Sequence, residues 1–109
     1  MAETSREVWI TGIGLVSSLA EGADAHWQAL AGETSPRPAI DATRFAPYTV
    51  HPLVPLDVAK QIPKTSDQRQ MERWQRIGVY AAGLALSDAG LSGDQSLLDR
   101  VDLTIAAGN

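Results

Sequence analysis

Gly12-Ile13-Gly14, followed at once by Leu15-Val16-Ser17, has the spacing of a backbone cradle for a nucleotide phosphate. Glycine suits such a turn because no Cβ keeps the chain from bending tightly or from approaching an oxyanion. A working cradle also needs a third glycine for close helix packing and a second strand ending in an acid about 20 residues on. Ser17 stands in place of that glycine, and the later region is Gly32 to Pro38, a glycine and proline loop. Nucleotide chemistry is therefore not expected.

Other reactive side chains are few. Ser17 and Ser18 lie outside a G-x-S-x-G elbow, so turn hydrogen bonding is their expected role rather than nucleophilic attack. His26 and His51 are the two imidazoles; neither has a second ligand three or four residues away, and both read as surface or loop histidines. With no cysteine, the sequence holds no disulfide, no thiolate metal site and no cysteine nucleophile. No catalytic residue, metal or cofactor is expected within these residues.

The remaining chemistry is charge. Lys60, Lys64, Arg69, Arg73 and Arg76 outnumber Asp57, Asp67 and Glu72 in one stretch of an otherwise acidic chain. Arg69, Arg73 and Arg76 follow i, i+4, i+7, which predicts one basic helix face. Such a face is either solvated and partly paired with Glu72, or it docks an acidic partner by electrostatic steering.

These residues need elements to hold them. The 109 residues suit one modest domain, and the 44% hydrophobic content is that of a globular protein. No apolar run approaches the roughly 18 residues of a membrane helix, and the polar start Met1 to Glu7 is unlike a secretory signal. A soluble, cytoplasmic protein is expected. The net charge of −4 argues against a general nucleic-acid binder.

Along the chain the expected order is strand, helix, loop, helix, strand, an α/β class. Residues 7–17 predict a core strand and turn, since Val8, Trp9 and Ile10 have no alternating polar face and suit burial on both sides. Residues 23–31 predict a short helix facing inward through Trp27, Leu30 and Ala31, after a turn and N-cap at Glu21 to Asp24. All six prolines fall in 36–63, which excludes regular helix there; Tyr48 to His51 suits a brief edge strand, and Phe45 and Leu53 are expected to pin the loop. Residues 67–89 predict the firmest helix, closed by Gly90, with Gly78, Ala81, Ala82 and Ala85 as a small-residue face that admits a close neighbour. From Ile77 to Leu86 that helix is apolar nearly all round, so more protein is expected about it. Ser96 to Arg100 suits a helical turn, and 101–107 predicts a strand entering a sheet. Because Gly108-Asn109 follows that strand with no turn or cap, the expectation is an incomplete domain.

Val8 to Ser17 resembles the amino-terminal signature of β-ketoacyl-acyl carrier protein synthases, the elongating condensing enzymes of the thiolase-like superfamily. The likeness continues in order and at matching spacing through Trp27-Gln28-Ala29-Leu30 with Gly32, Ile40 to Phe45, Gln68 to Trp74, and Leu86-Ser87-Asp88-Ala89-Gly90-Leu91. It covers nearly the whole chain.

The resemblance implies the first part of the amino-terminal half of a thiolase-like fold, usually found in a homodimer. It implies an acyltransferase of fatty-acid synthesis that condenses an acyl thioester with malonyl-carrier protein, losing carbon dioxide. The family's cysteine, two histidines and lysine all lie after the point matching Asn109, so none is carried over and the 109 residues alone are expected to be inactive. Arg69 matches a basic residue where the family docks its acidic carrier protein, with Lys64 and Arg73 as neighbours. Gly108 and Asn109 match the strand end that borders the acyl pocket, where an apolar residue is usual and Asn109 departs. Ser18, Ala20, Glu72 and Ala106-Ala107 depart as well, which implies a divergent branch, and the Trp- and Pro-rich pattern resembles that of the synthases that extend very long chains for lipid A. The rival reading is a stand-alone non-catalytic module that binds an acidic protein through the basic helix face.

Overall fold

Proline ends at Pro63, and helix follows as soon as the chain is free of it. The computed structural model describes residues 5–32 and 37–107. Its helices are α1, Ala23–Ala31; α2, Thr65–Gln70; α3, Arg73–Asp88; and α4, Gln95–Leu98, with a 3₁₀ turn at Val58–Lys60.

Helix 67–89 is thus two helices. Met71 and Glu72 are extended, with ψ of 138° and 163°. The cause is local: Glu72 and Gln75 form a reciprocal capping box, in which the Glu72 amide donates to Gln75 Oε1 at 2.8 Å, and Glu72 Oε2 also accepts the Trp74 indole N–H at 2.8 Å. Those bonds satisfy N–H groups that begin a helix, so α3 starts afresh at Arg73. At its other end Gly90 takes φ 74°, while the Gly90 and Leu91 amides donate to the Ser87 and Leu86 carbonyls at 3.1 and 2.9 Å. This is the glycine termination expected from the sequence.

Neither 7–17 nor 101–107 is a strand. The described residues hold no strand, only isolated antiparallel bridges joining Val16 to Glu21 and Asp41 to Val50. A strand is defined by hydrogen bonds to a neighbour, and no described segment lies beside either run in a ladder. Val8 is therefore 91% exposed and Leu103 73%, the reverse of the burial expected. The edge strand at 48–51 reduces to the single Val50 bridge. The α/β class is accordingly not realised within these residues.

Two inward faces are also corrected. On α1 the buried residues are His26 and Ala29, while Trp27 and Leu30 point outward, because the helix meets the 16–21 turn through His26. Gly22, with φ 89° and no side chain to offer, is the N-cap of α1 within the Glu21 to Asp24 turn. Phe45 is half exposed beneath the Arg44 guanidinium rather than pinning its loop.

What core exists lies around α3. Tyr80 is fully enclosed, and Ile62 and Ala29 are the other buried apolar residues. Gly12 and Gly14 run across the small residues of α3: a Cβ on Gly12 would stand 2.7 Å from the Ala89 Cβ, and one on Gly14 2.6 Å from the Ala85 amide nitrogen. The small-residue face thus receives the glycine pair. The accessible surface is 9320 Å², against about 5,800 Å² for a compact protein of this mass. The radius of gyration, 17.4 Å, compares with about 13 Å for a compact chain of this length. Large apolar segments lie uncovered.

Candidate functional site

The glycine pair does not hold an anion. With both glycines against α3, the Ile13 amide that could face a phosphate donates instead to Asp88 Oδ2 at 2.9 Å. Glu21, Asp24 and Asp88 line the adjoining cavity of about 500 Å³, so its charge would repel a phosphate.

Ser17 and His26, nine residues apart, are brought together. The Ser17 hydroxyl lies 2.7 Å from His26 Nε2, and His26 Nδ1 lies 2.6 Å from the Gly22 carbonyl oxygen. If His26 donates to Gly22, Ser17 donates to the free ring nitrogen. Ser17 Oγ also accepts the Leu19 amide at 3.0 Å, and the Ser17 amide donates to Ala20 O at the same distance. Turn hydrogen bonding is therefore what Ser17 does. His26, read from sequence as a surface or loop histidine, is instead buried, and it fastens this turn to α1. His51 is exposed in its loop and contacts the Ala39 carbonyl through Nδ1 at 3.0 Å.

A second link joins the turn to α3. The Tyr80 hydroxyl donates to Glu21 Oε1. That bond to a carboxylate, with burial and the charges of Glu21 and Asp57 behind it, pushes the phenol up to about 12. Glu21 and Tyr80 are 59 residues apart, and no local spacing announced the pair.

The basic residues sit on three separate elements. Lys60 ends the 3₁₀ turn, Lys64 precedes α2, Arg69 lies in the last turn of α2, and Arg73 and Arg76 lie on the first turns of α3. The extended Met71-Glu72 step breaks the single face expected for Arg69, Arg73 and Arg76. Gln68 steadies α2 by donating its side-chain N–H to the carbonyl of buried Ile62 at 2.7 Å. Lys64, Arg69 and Arg73 are exposed, and none forms an ion pair among the described residues. Glu72, the expected partner, spends its carboxylate on the α3 cap. Glu72-x-x-Gln75 is a capping-box spacing, so this break was the one feature here that the sequence could have disclosed. Gly108 and Asn109 lie outside the described residues. No helix of the described residues is long and apolar enough to cross a membrane.

The sequence model of the family described as Beta-ketoacyl synthase, N-terminal domain, matches residues 5–109. No curated protein and no solved structure matches the chain.

Proposed function

Because the chain belongs to the β-ketoacyl synthase family by its N-terminal domain, we propose that it forms the opening part of an elongating β-ketoacyl-acyl carrier protein synthase. The observation that carries this reading is the family match across residues 5–109. The family has a thiolase-like fold and works with acyl carrier protein and acyl thioesters. In the whole enzyme the malonyl unit loses carbon dioxide, its α-carbon bonds to the acyl carbonyl carbon, and the acyl group's thiolate departs. The reading extends to a cytoplasmic homodimer of fatty-acid synthesis, of the branch that handles very long chains for lipid A. Nothing in the match favours the stand-alone module.

In this reading the 109 residues supply structure and docking, not the reacting groups. They hold no cysteine to accept an acyl chain. Incubated alone with acyl and malonyl carrier protein, they should release no carbon dioxide above background; measurable turnover would overturn the assignment of catalysis to residues elsewhere.

Docking falls to Lys64, Arg69 and Arg73, exposed cations without ion pairs among the described residues, facing an acidic carrier protein. The variant Lys64→Glu/Arg69→Glu is expected to weaken carrier-protein binding about tenfold at low salt, with the difference shrinking as salt screens the charges. Calorimetric titration at two salt concentrations checks this, and equal affinity for the variant and the parent chain would remove these residues from the docking surface.

A further inference from the structure

Between the 53–58 segment and the start of α3 lies a second cavity, of about 260 Å³. Its wall is apolar, formed by Leu53, Val54, Leu56, Val58 and Ile77, and Arg73 and Arg76 are its only charged lining. The wall is firmly placed: the Val54 amide donates to the Ser17 carbonyl at 3.2 Å, and Val58 opens the 3₁₀ turn that leads to buried Ile62.

Two arginines over an apolar hollow ask for a negative charge joined to a hydrocarbon body. Neither forms an ion pair among the described residues. The nearest acids in sequence are occupied or turned elsewhere: Glu72 accepts the Trp74 indole and caps α3, and Asp57 does not line the cavity but adds its charge to the field at Tyr80. A guanidinium pair gives carboxylate oxygens fork-shaped donors. Each methylene placed against the wall adds to binding, and the volume lies just under the roughly 300 Å³ at which ordinary ligand pockets begin, so it takes a short tail.

We infer that this cavity binds a medium-chain carboxylate, with the head between Arg73 and Arg76 and the tail against Leu53, Leu56 and Ile77. The cavity meets the proposed docking surface at Arg73 alone, since Lys64 and Arg69 do not line it, and it takes a small amphiphile rather than a protein.

A diazirine-bearing octanoic acid, photolysed with the 109-residue chain and mapped by peptide mass spectrometry, tests this. Adducts should concentrate on residues 53–58 and 73–77 and be competed away by octanoate. The alcohol counterpart, which keeps the tail and loses the charge, and acetate as competitor, which keeps the charge and loses the tail, should each act about tenfold more weakly. Arg73→Gln/Arg76→Gln should cut labelling about tenfold, Arg73→Lys/Arg76→Lys should keep much of it, and Arg100→Gln should leave it unchanged. Scattered adducts, adducts centred elsewhere, or equal labelling by acid and alcohol would overturn the site.

Discussion

Alanine at Gly14 is expected to destabilise the fold by about 3 kcal/mol, the upper end of what overpacking costs. The added methyl would run into the Ala81 carbonyl and stand 2.6 Å from the Ala85 nitrogen, both main-chain atoms of α3. A flexible side chain could swing aside, but a helix backbone cannot move without breaking its own bonds. The matched control is Gly78→Ala on the same helix, where nothing stands within 4 Å of the new methyl. That change should stabilise by about 0.5–1 kcal/mol, because glycine inside a helix carries an entropic penalty. Urea unfolding followed by circular dichroism would compare the two. A Gly14→Ala midpoint within error of the parent chain would mean that the glycine pair does not touch α3 in solution.

Tyr80 is the other place where one substitution should decide whether the chain folds. It is the fully enclosed large side chain, and Tyr80→Ala should cost about 3–5 kcal/mol, comparable to the whole stability of a chain with so little buried surface. Tyr80→Phe keeps the ring but leaves Glu21 without its donor, at a cost of about 1–3 kcal/mol. The hydroxyl also sets a pH dependence. Its pKa is raised from the ordinary 10.0 to about 12, first by the bond to Glu21, so the fold favours the neutral phenol. The resulting stability is fully present below pH 10 and is lost as pH rises through 12. Melting temperature followed across that window should fall in the parent chain and fall less in Tyr80→Phe. Identical slopes would place the titration elsewhere.

Both residues lie in contacts whose partners are remote in sequence, which marks the boundary of what could be read beforehand. Local signals read well: Gly90 terminates α3 through its own backbone, Gln95–Leu98 forms the short turn expected near Ser96, and the proline block carries no α-helix among its described residues. The ordered family motifs were legible for the same reason, being strings of neighbours. Strands read poorly because apolar character states only that a segment suits a sheet, while the sheet depends on a neighbour to bond with. Val8 to Ile10 and Leu103 to Ile105 have the right residues and no ladder. The single basic face is absent for a different reason: the i, i+4, i+7 spacing runs across Glu72, whose side chain caps α3 and so interrupts the helix. Tyr80 with Glu21, and Ser17 with His26, required the turn at 16–21 to be placed in space first.

The Ile13 to Asp88 hydrogen bond, beside the glycine contacts, closes a loop spanning 75 residues. Closing a long loop costs chain entropy that helix bonds four residues apart do not incur. The glycine pair around Ile13 is consequently held by the final turn of α3, and each excursion in which that turn frays at Asp88 also loosens Ile13. Motion at the end of one helix is thereby felt at a turn 75 residues away.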